Sequence, residues 1–213
     1  MEKIMIKKEL SLFKIIILLI YICVASISAT IITPALDVIQ SNFHLTASQL
    51  QWVISLFLLG YVVGQLIYGP LASRVGGLKA LRLGLIINLI GIMLCLLSLI
   101  ISSYALLLFG RLITALGAAS GLSCTFILIN DYLSDHKKKQ VLGFCIVSFT
   151  LGIGLAILIG GFIAQYLDVI DCFWVLFIHG ILMFLATYLF MPIKKQRQFL
   201  ELSLLTGVTH FKS

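Results

Sequence analysis

Six long stretches of this sequence contain no charged residue. They hold 19 to 36 residues each and cover 15–36, 38–73, 83–110, 112–130, 140–167 and 172–193. About 20 apolar residues, each adding ~1.5 Å of helix, cross the ~30 Å hydrocarbon core of a bilayer. The pattern therefore predicts an all-α integral membrane protein. We expect a membrane domain at 15–193 with six transmembrane helices, at about 15–35, 49–71, 82–101, 104–130, 140–165 and 172–191.

The composition excludes several classes of protein. Hydrophobic residues make up 61% of the chain and charged residues 11%, whereas a soluble domain has about 25% charged residues. We therefore exclude a soluble globular domain, a disordered chain and a nucleic-acid-binding protein, despite the formal net charge of +7. The five cysteines stand singly and the four histidines do not cluster, so we expect neither a metal nor a cofactor. No active-site motif is present, so we do not expect an enzyme.

Basic residues alternate between the two ends of the predicted helices. Fourteen of the 15 Lys and Arg residues fall at 1–14, in the loops after the second and fourth helices, and at 194–213. The other loops carry Asp37, Asp168 and Asp171 and no basic residue. Because basic loops stay in the cytoplasm, we predict that the segment 1–14 and the tail 194–213 are both cytoplasmic.

The fifteenth basic residue, Arg111, falls inside the fourth predicted helix. An Arg at the centre of a membrane helix costs about 2.5–3.5 kcal/mol on insertion scales, so it normally faces protein, water or a ligand. Snorkelling to the outer membrane surface is the alternative. We predict that Arg111 lines a substrate cavity with Thr30, Gln65 and Thr114. For Thr30 a hydrogen bond to its own helix is an equally open interpretation.

Glycines recur at helical spacing in the second and fifth predicted helices. Gly60 and Gly64 stand four positions apart, and Gly152, Gly160 and Gly161 follow in the fifth helix. Small residues on one face of a helix allow a second helix to approach closely. We therefore predict that these five glycines are helix-packing positions.

Four segments, taken in their order along the chain, resemble one family. They are Thr-Pro-Ala-Leu at 33–36, Gly-Tyr-Val-Val-Gly-Gln-Leu-Ile-Tyr-Gly-Pro-Leu-Ala-Ser-Arg-Val-Gly at 60–76, Arg-Leu-Ile-Thr-Ala-Leu-Gly-Ala-Ala at 111–119, and the small-residue spacing of 143–161. Together they resemble the major facilitator superfamily, especially its bacterial drug:proton antiporters of the bicyclomycin-resistance type. The resemblance extends over about residues 12–193.

This resemblance implies a fold, a function and a location. Members have twelve helices in two six-helix halves, each a 3+3 inverted repeat, with the substrate cavity between the halves. The chain would be the amino-terminal half, with its first and fourth helices at the cavity, its second and fifth at the other half, and its third and sixth towards lipid. Gly69, Arg74 and Gly76 would form the cytoplasmic gate. The implied activity is proton-coupled efflux of small drug-like molecules across a bacterial inner membrane.

The sequence also departs from the family pattern. Ser73 and Thr30 stand where the family commonly has Asp, Thr114 stands where it has Gln, and Ile157 stands where it has Pro. Six helices instead of twelve indicate a truncated half, whose expected partners are membrane lipid, a small-molecule substrate and a second half or dimer partner. The alternative is a non-transporting remnant or a membrane assembly partner that needs a second half.

Overall fold

Seven α-helices make up most of the described protein. The computed structural model describes residues 11–189. The helices are α1 (Leu12–Thr30), α2 (Leu36–Asn42), α3 (Ala47–Val75), α4 (Gly77–Ile100), α5 (Tyr104–Tyr132), α6 (Asp135–Tyr166) and α7 (Val169–Leu189). A short 3-10 turn at Thr33–Ala35 joins α1 and α2 into one stretch, Leu12–Asn42. Within the described residues, six such stretches are long and apolar enough to cross a membrane, which confirms the predicted all-α, six-span fold class.

Several helices extend beyond the predicted spans. The first span continues to Asn42 rather than ending at 35, and α3 continues to Val75 rather than 71. At its start, α6 includes 135–139, which the apolar pattern leaves out. These extensions carry charged residues, which an α-helix tolerates but hydrocarbon does not. Hydropathy therefore marks the part of a helix that lies inside the membrane. The predicted tail 194–213 lies outside the described residues.

Local capping determines where two of the helices begin. At the start of α3, Thr46 Oγ1 accepts from the Gln49 N–H at 3.3 Å, and Gln49 Oε1 accepts from the Thr46 N–H at 2.9 Å. This reciprocal pair is a capping box. At the start of α5, Ser103 Oγ accepts from the Leu106 N–H at 3.4 Å. The Tyr104 hydroxyl donates to the Gln49 carbonyl at 2.8 Å and so ties the two helix starts together.

The helix contacts follow an approximate two-fold pattern. The central helix, α5, packs on α1, α3 and α4, while α1 also packs on α6 and α4 on α7. Exchanging the first three spans with the last three converts the α1–α6 contact into the α5–α3 contact, and the α4–α7 contact into itself. This is the arrangement of a 3+3 inverted repeat, as in one half of a twelve-helix facilitator fold.

Burial differs strongly between the helices. Most of α3 and α6 is exposed, whereas α1 and α5 are mostly buried. In a membrane, exposed apolar faces contact lipid or another helix bundle. The exposed face of α3 carries large apolar side chains at Leu58, Leu59, Val62, Val63, Leu66 and Ile67.

Candidate functional site

Arg111 lies fully inside the described helix bundle, at 0% exposure. Its Nη1 donates to the Ser28 carbonyl of α1 at 2.8 Å, and its Nε makes a longer contact, 3.5 Å, with the Val53 carbonyl of α3. The guanidinium carbon lies 4.2 Å from the centre of the Phe57 ring. The side chain therefore points inward between α1, α3 and α5, and does not snorkel to the membrane surface.

The end of α1 explains part of the stabilisation of this cation. Ser28 lies in the last turn of α1, which ends at Thr30. The last four carbonyls of a helix have no partner within it, and the negative end of the helix dipole favours a cation. The Phe57 ring adds a cation–π contact. Arg111 is thus held by a helix end and an aromatic face.

One nitrogen of the guanidinium group has an unmet hydrogen bond. Among the described residues, Arg111 Nη2 is buried and has no acceptor. The sequence contains no Asp or Glu from residue 38 to residue 130, so a carboxylate partner has to come from elsewhere. A buried donor without a partner costs about 1–3 kcal/mol, and more when the group is charged. The geometry therefore favours one further acceptor, such as a water, a substrate group or a side chain of a second bundle.

Thr114 lies against α4 rather than on an open surface. It is 1% exposed, and its hydroxyl donates to the Gly110 carbonyl at 2.8 Å. The Asn88 side-chain amide of α4 donates to the Thr114 carbonyl at 3.0 Å. A Cβ added to Gly91 would collide with the Thr114 backbone. This position differs from the expected cavity wall because the close approach of α4 covers that side of α5.

Thr30 and Gln65 are each half-buried, on α1 and α3. The Thr30 hydroxyl donates to the Ser26 carbonyl at 2.8 Å, which is a hydrogen bond within its own helix. The described hydrogen bonds of Arg111 go to carbonyls rather than to Gln65. No described hydrogen bond joins two of the four predicted cavity residues, so their shared role stays a prediction.

Two of the predicted packing glycines lie at the crossing of α3 and α5. A Cβ on Gly60 would lie 2.8 Å from the Leu112 carbonyl oxygen. A Cβ on Gly64 would lie 2.6 Å from the Ala119 Cβ. Both distances are shorter than carbon contacts allow, so the crossing has room for glycine but not for a larger residue.

At the related crossing of α1 and α6, the three predicted packing glycines differ in the space around them. A Cβ on Gly152 would collide with the Ser26 hydroxyl, and one on Gly160 would collide with the Ile31 carbonyl. Gly161 has open space among the described residues. A packing role for Gly161 therefore requires a neighbour from outside residues 11–189.

Close glycine contacts also join α4 and α5, and the sequence pattern had not predicted them. A Cβ on Gly84 would meet the Ser120 side chain, and one on Gly117 would meet the Asn88 backbone. Gly84 and Gly91 stand seven residues apart, as do Gly110 and Gly117. Seven residues are about two helical turns, so each pair lies on one helix face. This spacing could have predicted the close contact of α4 with α5.

The predicted gate residues lie at the junction of α3 and α4. Gly76 has a φ of 97°, which favours glycine. Arg74 is exposed in the last turn of α3, and Gly69 has open space beside it among the described residues. The Ser73 hydroxyl donates to the Pro70 carbonyl of its own helix at 2.7 Å. The gate role of Gly69, Arg74 and Gly76 stays a prediction.

A second arginine, Arg82, lies on α4 rather than in the basic loop that the sequence predicts there. Its Nε donates to Thr187 Oγ1 at 3.0 Å and its Nη2 donates to the Thr187 carbonyl at 2.9 Å. Its guanidinium carbon lies 3.9 Å from the centre of the Tyr188 ring. The Tyr21 hydroxyl of α1 donates to the nearby Met183 carbonyl at 3.1 Å. Two side chains thus hold the end of α7 against α4 and α1.

Several curated proteins are similar in sequence to most of this chain. An MFS-type transporter of Aspergillus terreus is 26% identical over 152 residues, which are 71% of this chain and 27% of that protein. The riboflavin transporter RibZ of Clostridioides difficile is 28% identical over 156 residues, 70% of this chain and 33% of its own length. The MFS-type efflux pump MMF1 of Mycosarcoma maydis is 27% identical over 162 residues, 76% of this chain and 26% of its own length.

The chain therefore spans about a quarter to a third of the length of the curated relatives it matches. The family model of the Major Facilitator Superfamily matches residues 18–204. Members of this family are transporters rather than enzymes, in agreement with the expectation that this chain is not an enzyme. The family model covers most of the chain, and residues 11–189 contain six stretches, long and apolar enough to cross a membrane, in the arrangement of an inverted repeat. This chain belongs to the Major Facilitator Superfamily.

Proposed function

We propose that this chain is one six-helix half of a carrier that moves small molecules across a membrane by alternating access. The observation that carries the proposal is the family match at 18–204 on a bundle of six spans. A complete carrier of this kind has its substrate cavity between two such halves. The exposed faces of α3 and α6 would contact a second half, or a second copy of the chain in a dimer.

The proposed activity is proton-coupled efflux of drug-like molecules, of the bicyclomycin-resistance type. Its support is the motif set at 33–36, 60–76, 111–119 and 143–161, together with a relative whose name describes an efflux pump. Proton coupling requires a group that gains and loses a proton within the membrane. None of the six charge-free stretches contains an Asp or Glu, so a carboxylate that couples transport to protons would belong to the second half.

In this proposal Arg111 is the main polar group of the transport site. Its unmet Nη2 donor would bind an acceptor of the substrate or of the second half. Thr30 and Gln65, both half-buried, would add polar surface nearby, and Thr114 would hold α5 against α4. Gly60, Gly64, Gly152 and Gly160, which lie at tight helix crossings, would keep the half rigid while it rocks against its partner.

The proposed location is the bacterial inner membrane, with the basic loops, the segment 1–14 and the tail 194–213 in the cytoplasm. The charge alternation of the loops supports this orientation. The turn with Gly69, Arg74 and Gly76 would then form the cytoplasmic gate.

The test measures efflux in the cells that carry the gene. Cells loaded with ethidium, or with the intrinsically fluorescent riboflavin, should lose the dye more slowly when the gene is deleted. The gene should restore the rate, whereas its Arg111→Ala variant should not. A matched Lys79→Gln variant, at an exposed lysine of α4, should restore it fully. Unchanged efflux on deletion, or full restoration by Arg111→Ala, would contradict the proposal.

A second candidate is an assembly partner that transports nothing. It is favoured by the apolar face of α3 and by Ser73, whose hydroxyl bonds its own helix where the family pattern has a gate carboxylate. In that case, deleting the gene would lower the amount of a separate transporter in the membrane. The efflux rate per molecule of that transporter would not change.

A further inference from the structure

A cleft opens between α5 and α6 where the two helices meet at the basic end of the bundle. It has a volume of about 350 Å3. Its wall is apolar except for one amide and one ammonium group. The lining residues are Phe126, Ile127, Ile129, Asn130, Lys138 and Leu142.

Lys138 supplies the positive charge of this cleft. Its side chain is only 19% exposed, and its Nζ lies 3.0 Å from Asp135 Oδ1. The Asp135 side chain is 95% exposed, so water competes for the carboxylate end of this ion pair and weakens it. An anion entering the cleft can therefore replace Asp135 as the partner of Lys138 at small cost.

The surroundings of Lys138 add to the attraction for an anion. Lys137 and Lys139 flank it, against the two acids Asp131 and Asp135, so the turn has a formal charge of +1. The cleft also lies at the amino-terminal end of α6, a helix of 32 residues whose dipole has its positive end there.

The apolar floor of the cleft lies deeper in the membrane than its cation. Leu142 follows Lys138 by four residues, which is about 6 Å along α6. Phe126 precedes the end of α5 at Tyr132 by six residues, about 9 Å along that helix. Both apolar side chains are 41% exposed. The cleft therefore offers a charged rim at the membrane surface and an apolar surface below it.

We propose that this cleft binds one anionic phospholipid, with its phosphate on Lys138 and the start of an acyl chain against Phe126 and Leu142. Basic clefts between membrane helices, with lysines at the interface, have the charge that complements anionic lipid headgroups. The site is separate from Arg111, because the 19 residues from Arg111 to Asn130 span about 28 Å along α5. It goes beyond the transport proposal and does not depend on it.

The test is native mass spectrometry of the full chain released from a mild detergent. Dioleoylphosphatidylglycerol and dioleoylphosphatidylcholine, which share their acyl chains, are added at equal concentrations. The chain should bind the glycerol lipid preferentially. The variant Lys138→Gln should weaken that binding about fivefold, the amount expected for one interfacial lysine. Lys138→Arg should retain binding, and Asp135→Asn should strengthen it, because the competing carboxylate is gone.

The matched control is Lys79→Gln, which removes an exposed lysine of α4. It should change binding of the glycerol lipid less than twofold. Far-UV circular dichroism of each variant verifies that the helices are intact. Equal binding of the two lipids, wild-type binding by Lys138→Gln, or an equal loss in Lys79→Gln would overturn the proposal. The alternative occupant would then be another protein segment, such as a second six-helix half.

Discussion

Arg111 and Arg82 use the same contacts in different surroundings. Each donates to a carbonyl in the last turn of a neighbouring helix, Ser28 of α1 for Arg111 and Thr187 of α7 for Arg82. Each guanidinium carbon also lies over an aromatic ring, 4.2 Å from the centre of Phe57 for Arg111 and 3.9 Å from the centre of Tyr188 for Arg82. However, Arg111 is fully buried with an unmet donor, whereas Arg82 is half-buried beside Tyr188, which is 57% exposed.

The difference separates a structural arginine from a candidate functional one. Water can satisfy the remaining donors of Arg82, so its contacts with α7 stabilise the bundle. Arg111 Nη2 has no such access, and its desolvation opposes folding. A buried, incompletely satisfied charge in a membrane span is by default a functional-site hypothesis.

Replacing Arg111 with Met should have the largest effect and should separate function from stability. Dye efflux should fall to the rate of cells that lack the gene. The free energy of unfolding of the purified chain should change by less than about 1 kcal/mol, because the lost contacts are offset by the lost desolvation cost. Efflux assays and denaturation followed by circular dichroism measure the two quantities. Wild-type efflux in this variant would end the functional assignment of Arg111.

Replacing Arg82 with Met should have the opposite profile. The free energy of unfolding should fall by about 2–3 kcal/mol, because hydrogen bonds from a charged donor are lost at Thr187. Efflux per folded molecule should stay at the wild-type level. The control is Lys79→Met, a change at an exposed position of the same helix, which should stay within about 0.5 kcal/mol. If the two variants are equally stable, Arg82 is not a clamp on α7.

Gly160 and Gly161 test the end of α1 that also holds Arg111. Gly160→Ala should lower the free energy of unfolding by about 2 kcal/mol, since its Cβ would press on the Ile31 carbonyl. Gly161→Ala should change it by less than about 0.5 kcal/mol, since its Cβ enters open space among the described residues. Denaturation of both purified variants under one set of conditions gives the comparison. Equal losses would show that Gly161 has a packing neighbour outside residues 11–189.

The two aromatic contacts should give the smallest difference. In double-mutant cycles, the coupling of Arg111 with Phe57 should be about 2 kcal/mol and that of Arg82 with Tyr188 about 0.5–1 kcal/mol, because desolvation strengthens a cation–π contact. Each cycle uses Arg→Met and ring→Leu variants with unfolding as the readout. Equal couplings would mean that burial does not distinguish the two arginines.

The count and type of the elements were predictable from the sequence. Charge-free runs gave six spans, and the structure has six spanning stretches in the described residues. The ends were predicted less well, as at α3, because polar residues such as Arg74 continue a helix into the interface. The spacing of Gly60 and Gly64 predicted a close helix approach. The close contacts of Gly84 and Gly91 were not predicted, although a spacing of seven residues also places two glycines on one helix face.

The candidate site was only partly predictable. Arg111 stood out because a charge in a span is rare. Its acceptor on Ser28 was not foreseeable, because that carbonyl belongs to a helix more than eighty residues earlier in the chain. Thr114 lies on the same small, polar helix face as Arg111, as a cavity residue would, yet α4 covers it. The sequence of α5 alone does not specify which helix packs against that face.

The sequence by itself determined the number of spans, their alternating direction and the presence of a cation within them. These properties depend on the cost of moving each side chain from water into hydrocarbon, which is local to a segment. Only the tertiary structure decided which carbonyls receive Arg111 and Arg82, which glycines meet a backbone, and where α5 and α6 leave a cleft beside Lys138. Those features depend on how each helix is rotated and packed against helices distant in the sequence, and composition does not encode that rotation.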